Sequence, residues 1–364
     1  MASPQLRLPG GFESSSSLMS FLEITKESLT EVPQCYVRSF EEPELSSDLS
    51  DKPTVIPTID MIKLVTGSEA SDSELENLRS TCKEWGIFQL VNHGVSPMLL
   101  EKLKYEVEEF FKLPLEEKMK YQIRPGDVEG YGSIAQNKEQ KRDWGNRFYM
   151  TMNPVHRRKP YLFPELPSSL RNTFESYYLE LKQLAMELIG FLGKAVKIDI
   201  KETEEMFEDG MQSVRMNYYP SCPQPELVIG LTPHSDASGI TILHQLNGVG
   251  GLQIKKDGVW VPVNFREDAF VVNAGDIFEI LSNGVYKSME HRVMVNSEQE
   301  RISIAMFFNP KFEAEIGPVT SLITPENPPL FKRMGMEQYV QDFYTRRKLD
   351  GKSYLDQMRL QNEN

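Results

Sequence analysis

From Ser213 onward the chain reads SVRMNYY (213–219), TILHQ (241–245), GLQIK (251–255), VWVPV (259–263), FVVN (270–273), IFEIL (277–281), HRVMV (291–295) and ISIAMF (302–307). Each run is short and rich in β-branched and aromatic residues. Turn-forming residues separate them, Asp257-Gly258 and Asn283-Gly284 most clearly. Eight such runs within roughly a hundred residues predict a double-sheet antiparallel structure of the jelly-roll kind.

Upstream of about Met211 the pattern is mainly helical. Ser71 to Trp85 places Leu75, Leu78, Cys82 and Trp85 on one face, with Asp72 or Ser73 as N-cap and Gly86 as the stop. Ile87–Val91 reads as a strand ended by Asn92-His93-Gly94. Ser96-Pro97 then opens a second helix with an apolar stripe of Leu100, Leu103, Val107, Phe110 and Phe111. A third helix, from about Ser169 to Ala195, is buried along Phe174, Leu181, Leu184, Leu188 and Leu192. Val55–Asp60 is a short β-like run. Met1–Ser17 reads as a loose tail, 18–29 as a short helix and 38–52 as an acidic linker. The segment from Met336 to about Met358 is helical again, with a break near Asp350-Gly351. The expected class is therefore α+β, built as one unit: helices, a β core, and a closing helix.

A chain of 364 residues with 40% apolar residues can bury a substantial core. Its net charge of −13 argues against a nucleic-acid backbone or an anionic membrane as the main partner, since both would repel it. A small molecule is the expected partner. No apolar run reaches the ~20 residues that span a bilayer. Residues 1–18 lack the apolar stretch of a secretory signal. Three sparse cysteines, Cys35, Cys82 and Cys222, suit reduced thiols. The cytoplasm is the expected location and a monomer the expected state.

Only five histidines occur, so their surroundings are informative. His234 lies in LTPHSD (231–236), where an H-x-D pair at a strand end aims an imidazole and the Asp236 carboxylate at one point. His291 opens a later β run. Two histidines and one carboxylate form a facial triad, the ligand set preferred by non-haem Fe(II) oxygenases. Ten residues on, Arg301 and Ser303 share one face of a strand, a receptor for a buried carboxylate. Asn217 and Tyr219 share a face in the same way. His93, His156 and His244 read as a turn residue, a solvated residue and a structural residue.

Together these motifs resemble plant 2-oxoglutarate/Fe(II)-dependent dioxygenases. The resemblance runs through CKEWGIFQLVNHGV (82–95), NYYPSCP (217–223), His234-x-Asp236, Asn273-Ala274-Gly275-Asp276, LSNG (281–284), His291-Arg292 and Arg301-x-Ser303. RKLDGKSYL (347–355) is similar to the branch of senescence-related dioxygenases and benzylisoquinoline alkaloid O-demethylases. The resemblance implies a double-stranded β-helix core at 206–315, an N-terminal helical wrapping region at 1–205 and a C-terminal helical segment at 316–364. It implies Fe(II) on His234, Asp236 and His291. The distal carboxylate of 2-oxoglutarate would lie on Arg301 and Ser303, assisted by Tyr219 and Asn217. O2 would be consumed, succinate and CO2 formed, and ascorbate used as reductant. By family position, the segment Trp144–Met150 (Arg147 and Tyr149 in particular), Arg215, Phe307 and Asn309 would face the substrate. That substrate would be a small aromatic specialised metabolite, an alkaloid or phenylpropanoid, hydroxylated or O-demethylated.

Three other readings compete. One is an Fe(II) oxidase that does not use 2-oxoglutarate. A second is a jelly-roll binding protein without catalysis. The third is a zinc hydrolase, which would need a base that the sequence does not offer near the triad.

Overall fold

The computed structural model describes residues 30–38, 55–67, 69–133, 141–346 and 354–360. The expected tail, the 18–29 helix, most of the 38–52 linker and residues 347–353 of the closing motif lie outside the described residues.

A large sheet runs in the order β1 (Thr58–Asp60), β2 (Ile87–Val91), β10 (Phe270–Ala274), β7 (Ile240–Gln245), β12 (Arg301–Phe308), β5 (Gln212–Tyr219), β4 (Asn146–Asn153) and β3 (Gly130–Tyr131). A smaller sheet runs β6 (Leu231–His234), β11 (His291–Val293), β8 (Leu252–Lys256) and β9 (Val259–Pro262). Pairing among these is antiparallel except between β1 and β2. The α+β class and the two-sheet core agree with the sequence reading.

Strand alternation decides which side of the large sheet does what. Successive side chains point to opposite faces. On β12, Ile302, Ile304, Met306 and Phe308 are at most 2% exposed and join the main apolar core. Their alternates Arg301, Ser303, Ala305 and Phe307 line a cavity. Strand β5 repeats the division: Val214 and Met216 enter the core, whereas Arg215, Asn217 and Tyr219 face the cavity.

The core face is covered by helices. These are α1 (Met61–Val65), α2 (Glu69–Glu84), α3 (Pro97–Lys112), α4 (Leu115–Met119), α5 (Ser168–Ala195) and α6 (Ile200–Phe207). In α5 the buried Leu181, Leu184, Ala185, Leu188, Ile189 and Leu192 recur at three- and four-residue steps, a continuous stripe toward the sheet. Burying each leucine contributes about 1.5–3 kcal/mol. Helix α3 begins as its sequence predicts: Ser96 Oγ accepts from Leu99 N–H, and Pro97 occupies the first turn. Three further helices follow: α7 (Asp276–Leu281), α8 (Met336–Arg346) and α9 (Leu355–Met358).

Four expectations are corrected. Ile277–Leu281 is helix α7, not a strand; all six of its residues are buried, and a short apolar run looks alike in either state. Helix α2 starts at Glu69, so neither Asp72 nor Ser73 caps it, and the Ser71 hydroxyl instead donates to Leu64 O at 2.9 Å. The segment 146–153, read without secondary structure, is β4. Gly130–Tyr131, likewise given no element, is β3, whereas the runs at Val55–Asp60 and Ile87–Val91 supply β1 and β2 as expected.

The turn expectations stand. Asp257 and Gly258 both take positive φ between β8 and β9, as a two-residue hairpin requires. Gly86 ends α2 at φ +64, where a Cβ would collide with the Lys287 carbonyl.

Candidate active site

Two loops and one cross-strand pair bring the triad together. His234 ends β6 and His291 begins β11, and the two residues are register partners. Asp236 follows β6 directly. Its Oδ1 lies 3.7 Å from His234 Nε2 and 3.8 Å from His291 Nε2. The three ligand atoms fall within 4.8 Å of one another, a spacing that a single metal ion can bridge.

The surroundings orient each donor. His234 Nδ1 lies 2.8 Å from Thr232 O, and His291 Nδ1 lies 3.1 Å from Met289 O. A carbonyl only accepts, so each Nδ1 carries the proton and each Nε2 presents its lone pair to the centre. Asp236 Oδ2 accepts from Thr241 Oγ1 at 2.7 Å and from Asn273 Nδ2 at 3.0 Å, which leaves Oδ1 for a ligand. Burial alone would raise the Asp236 pKa. The two imidazoles and these two donors outweigh it, and the carboxyl is held below its ordinary value. Gly275 matters here because a Cβ would press on the Ser238 and Asp236 carbonyls.

An inner cavity connects the triad to Arg301. The guanidinium is 2% exposed and has no carboxylate partner among the described residues. It donates to Ser303 Oγ at 3.2 Å and to Gln245 Oε1 at 2.9 Å, both neutral. Its Nε has no hydrogen-bond partner. Burial pushes its pKa down, the signature of a charge that lacks its counter-ion. Tyr219 lies under the guanidinium at 5.3 Å, and Asn217 Nδ2 donates to Ser303 Oγ at 3.4 Å. The candidate metal ligands and a buried guanidinium without an acidic partner among the described residues thus share one space, an arrangement that could take a small dicarboxylate beside a metal.

An outer cavity, open to solvent, adjoins the inner one. Arg215, His234, Asp236 and Phe307 line both. All five substrate candidates, Arg147, Tyr149, Arg215, Phe307 and Asn309, line the outer cavity. Of the 144–150 segment, however, only the alternates Arg147 and Tyr149 do so. Phe148 and Met150 point into the helical core. Trp144 packs edge-on to Tyr36 and donates to Pro220 O at 3.1 Å. The sequence reading missed the wall supplied by α8: Met336, Tyr339, Val340 and Phe343, with Tyr344 beside them. Their spacing of three, four and seven was the available signal.

The other histidines behave as read. His244 is pushed down to about 4 by burial and lies edge-on to Phe270, His93 stacks on Phe270 at 4.2 Å, and His156 is exposed. The three cysteines are free thiols. Among the described residues, no helix is long and apolar enough to cross a membrane.

Comparison with known proteins agrees with this geometry. Residues 210–310 match the 2OG-Fe(II) oxygenase superfamily, and residues 56–167 match the non-haem dioxygenase in morphine synthesis N-terminal family. The chain is 48% identical to codeine O-demethylase of Papaver somniferum over 94% of this chain and 96% of that one. It is equally identical to the oxoglutarate-dependent flavonoid 7-O-demethylase 1 of Ocimum basilicum, over 93% and 90%. A solved structure of JOX2 in complex with 2OG, Fe and JA superposes with a TM-score of 0.82 at 34% identity, covering 94% of this chain and 97% of that one.

Proposed function

This chain belongs to the 2-oxoglutarate/Fe(II)-dependent oxygenase family, and from that premise we propose that it oxidises a small aromatic specialised metabolite, by O-demethylation or hydroxylation. The enzyme uses Fe(II), 2-oxoglutarate and O2. His234, Asp236 and His291 are the residues that would hold the iron. Arg301 and Ser303, with Tyr219 and Asn217 beside them, would receive the distal carboxylate of 2-oxoglutarate. When bound, iron and 2-oxoglutarate supply the oxidising power, with 2-oxoglutarate converted to succinate and CO2. On this reading the core at 206–315 carries the chemistry, and the flanking 1–205 and 316–364 regions shape access to it.

The chain's own residues do the rest. The carbonyls of Thr232 and Met289 fix the imidazole tautomers, and Asn273 and Thr241 fix the carboxylate. Arg301 orients the co-substrate by its far end, so the other end faces the metal. A substrate seated in the outer cavity would bring its reacting carbon to the triad and displace water from there.

The observation that carries the substrate reading is the aromatic and thioether lining where the outer cavity meets the triad. Phe307 lies edge-on to Tyr149 with centroids 6.3 Å apart, and Phe343, Tyr344, Met211 and Met336 surround them. Such walls suit a flat ring. The relatives named above demethylate codeine and a flavonoid 7-O position, which supports an aryl methyl ether. Oxidation of its methyl carbon leaves a hemiacetal that collapses to a phenol and formaldehyde. The test is a panel of methoxylated aromatics incubated with enzyme, Fe(II), 2-oxoglutarate, ascorbate and air. Succinate and formaldehyde should appear one for one. Product formation that does not need 2-oxoglutarate would instead support the oxidase reading.

A further inference from the structure

Charge is unevenly placed around the outer cavity, although the whole chain carries −13. Arg147 and Arg215 both line it, and among the described residues Asp236 is the only carboxylate in its lining. Asp236 belongs to the triad, so it is not available to a substrate cation.

The two arginines differ in their engagements. Arg147 on β4 donates to Val128 O at 3.0 Å and lies 5.5 Å from the Tyr149 ring centre. The Arg215 guanidinium makes no hydrogen bond and no ion pair among the described residues, and its Nε is buried without a partner. Arg215 is half-buried where the inner and outer cavities meet. Strand register fixes its neighbours. Tyr149 stands directly opposite Arg215, and Arg147 stands opposite Asn217, one diagonal step away on the same face. A half-buried guanidinium with no acidic partner among the described residues, beside a second cation, is a receptor for a carboxylate. For a protonated amine the described lining of the same cavity offers repulsion and, apart from the triad's Asp236, no counter-charge.

We infer that the outer cavity selects an aromatic substrate bearing a carboxylate, which Arg215 binds directly with Arg147 adding charge, and that it disfavours substrates bearing an ammonium group. This rests on the aromatic-substrate reading above and narrows it, away from basic alkaloids and toward phenylpropanoid-like acids.

Three matched probes test it: para-methoxycinnamate, para-methoxycinnamyl alcohol and 2-(para-methoxyphenyl)ethylammonium. Each is titrated calorimetrically into the full chain loaded with Fe(II) and 2-oxoglutarate under anaerobic conditions. The acid should bind about tenfold tighter than the alcohol, and the amine weakest. Arg215→Leu should erase the preference for the acid, and Arg215→Lys should keep part of it. Equal binding of acid and amine, tighter binding of the amine, or no binding of the acid overturns the inference. So does an Arg215→Leu variant whose 2-oxoglutarate affinity falls as much as its cinnamate affinity, because Arg215 would then serve the co-substrate. Admitting air separates this from the demethylation reading. Selective binding of the acid without formaldehyde removes demethylation and keeps the anion site. Formaldehyde from amine and acid alike does the reverse.

Discussion

Replacing Arg301 with methionine separates the cost of the buried charge from its use. The guanidinium has two neutral acceptors and no acid among the described residues. Losing two hydrogen bonds from a charged donor costs about 1.5–3 kcal/mol each. Removing an unpaired buried ion returns several kcal/mol. The two effects nearly cancel, so Arg301→Met should melt within a few degrees of wild type when 2-oxoglutarate is absent. Co-substrate binding should respond very differently. Truncating one member of a buried charge pair costs about 2–5 kcal/mol, a 2-oxoglutarate affinity weaker by roughly 30- to 5000-fold. The assay is anaerobic titration of Fe(II)-loaded protein with 2-oxoglutarate, following the weak visible charge-transfer band of the chelate. Thermal melts with and without 2-oxoglutarate accompany it. Wild type should be stabilised by the ligand through mass action, and the variant should not. An affinity within threefold of wild type would refute the carboxylate assignment. A collapse in melting temperature without ligand would show that Arg301 is a structural brace.

His234→Ala should abolish both iron binding and turnover; measurable activity in that variant would remove it from the ligand set. Asn273→Ala should lower iron affinity by about 10–100-fold with the fold intact, since Asp236 loses a donor that holds it in place; an unchanged metal titration would refute this. Glu129 is buried, and desolvation pushes its carboxyl up to about 7 from 4.5. The folded chain therefore holds a proton over that interval that the unfolded chain has lost. Stability should fall as pH rises from 4.5 to 7, by up to ~3 kcal/mol, and stay reduced above. Glu129→Gln can still accept from Thr151 N–H, so it should raise the melting temperature near pH 8 and leave it unchanged near pH 4. Equal shifts at both values would show that burial of the charge is not the cause.

The β core and the triad were readable because their chemistry is dense in sequence. His234 ends β6 with Asp236 two residues on, just past the strand, and Arg301 and Ser303 are two apart within β12, where period-two spacing sends both to one face. What stayed hidden depended on partners that are remote along the chain. Ile277–Leu281 carries as many apolar residues as a strand; contact on every side, with Asp276 N–H donating to Asp236 O at 2.8 Å, makes it a helix. Strand β4 alternates in burial along all eight residues, yet Arg147, Asn153 and Thr151 dilute the apolar pattern that would have marked it. The substrate wall on α8 was invisible for another reason. An amphipathic helix shows which of its faces is apolar, but not which cavity that face will close.

That helix has a consequence for how such a chain changes over generations. Every side chain assigned to iron and 2-oxoglutarate lies between Asn217 and Ser303, whereas α8 begins at Met336. Substitutions at Phe343 or Tyr344 reshape the space offered to a substrate without touching a residue that the oxidising chemistry requires. The demanding part of the enzyme and the α8 wall of its outer cavity are therefore inherited on separate stretches of the chain. Selection can try one new molecule after another at the second while the first stays constant.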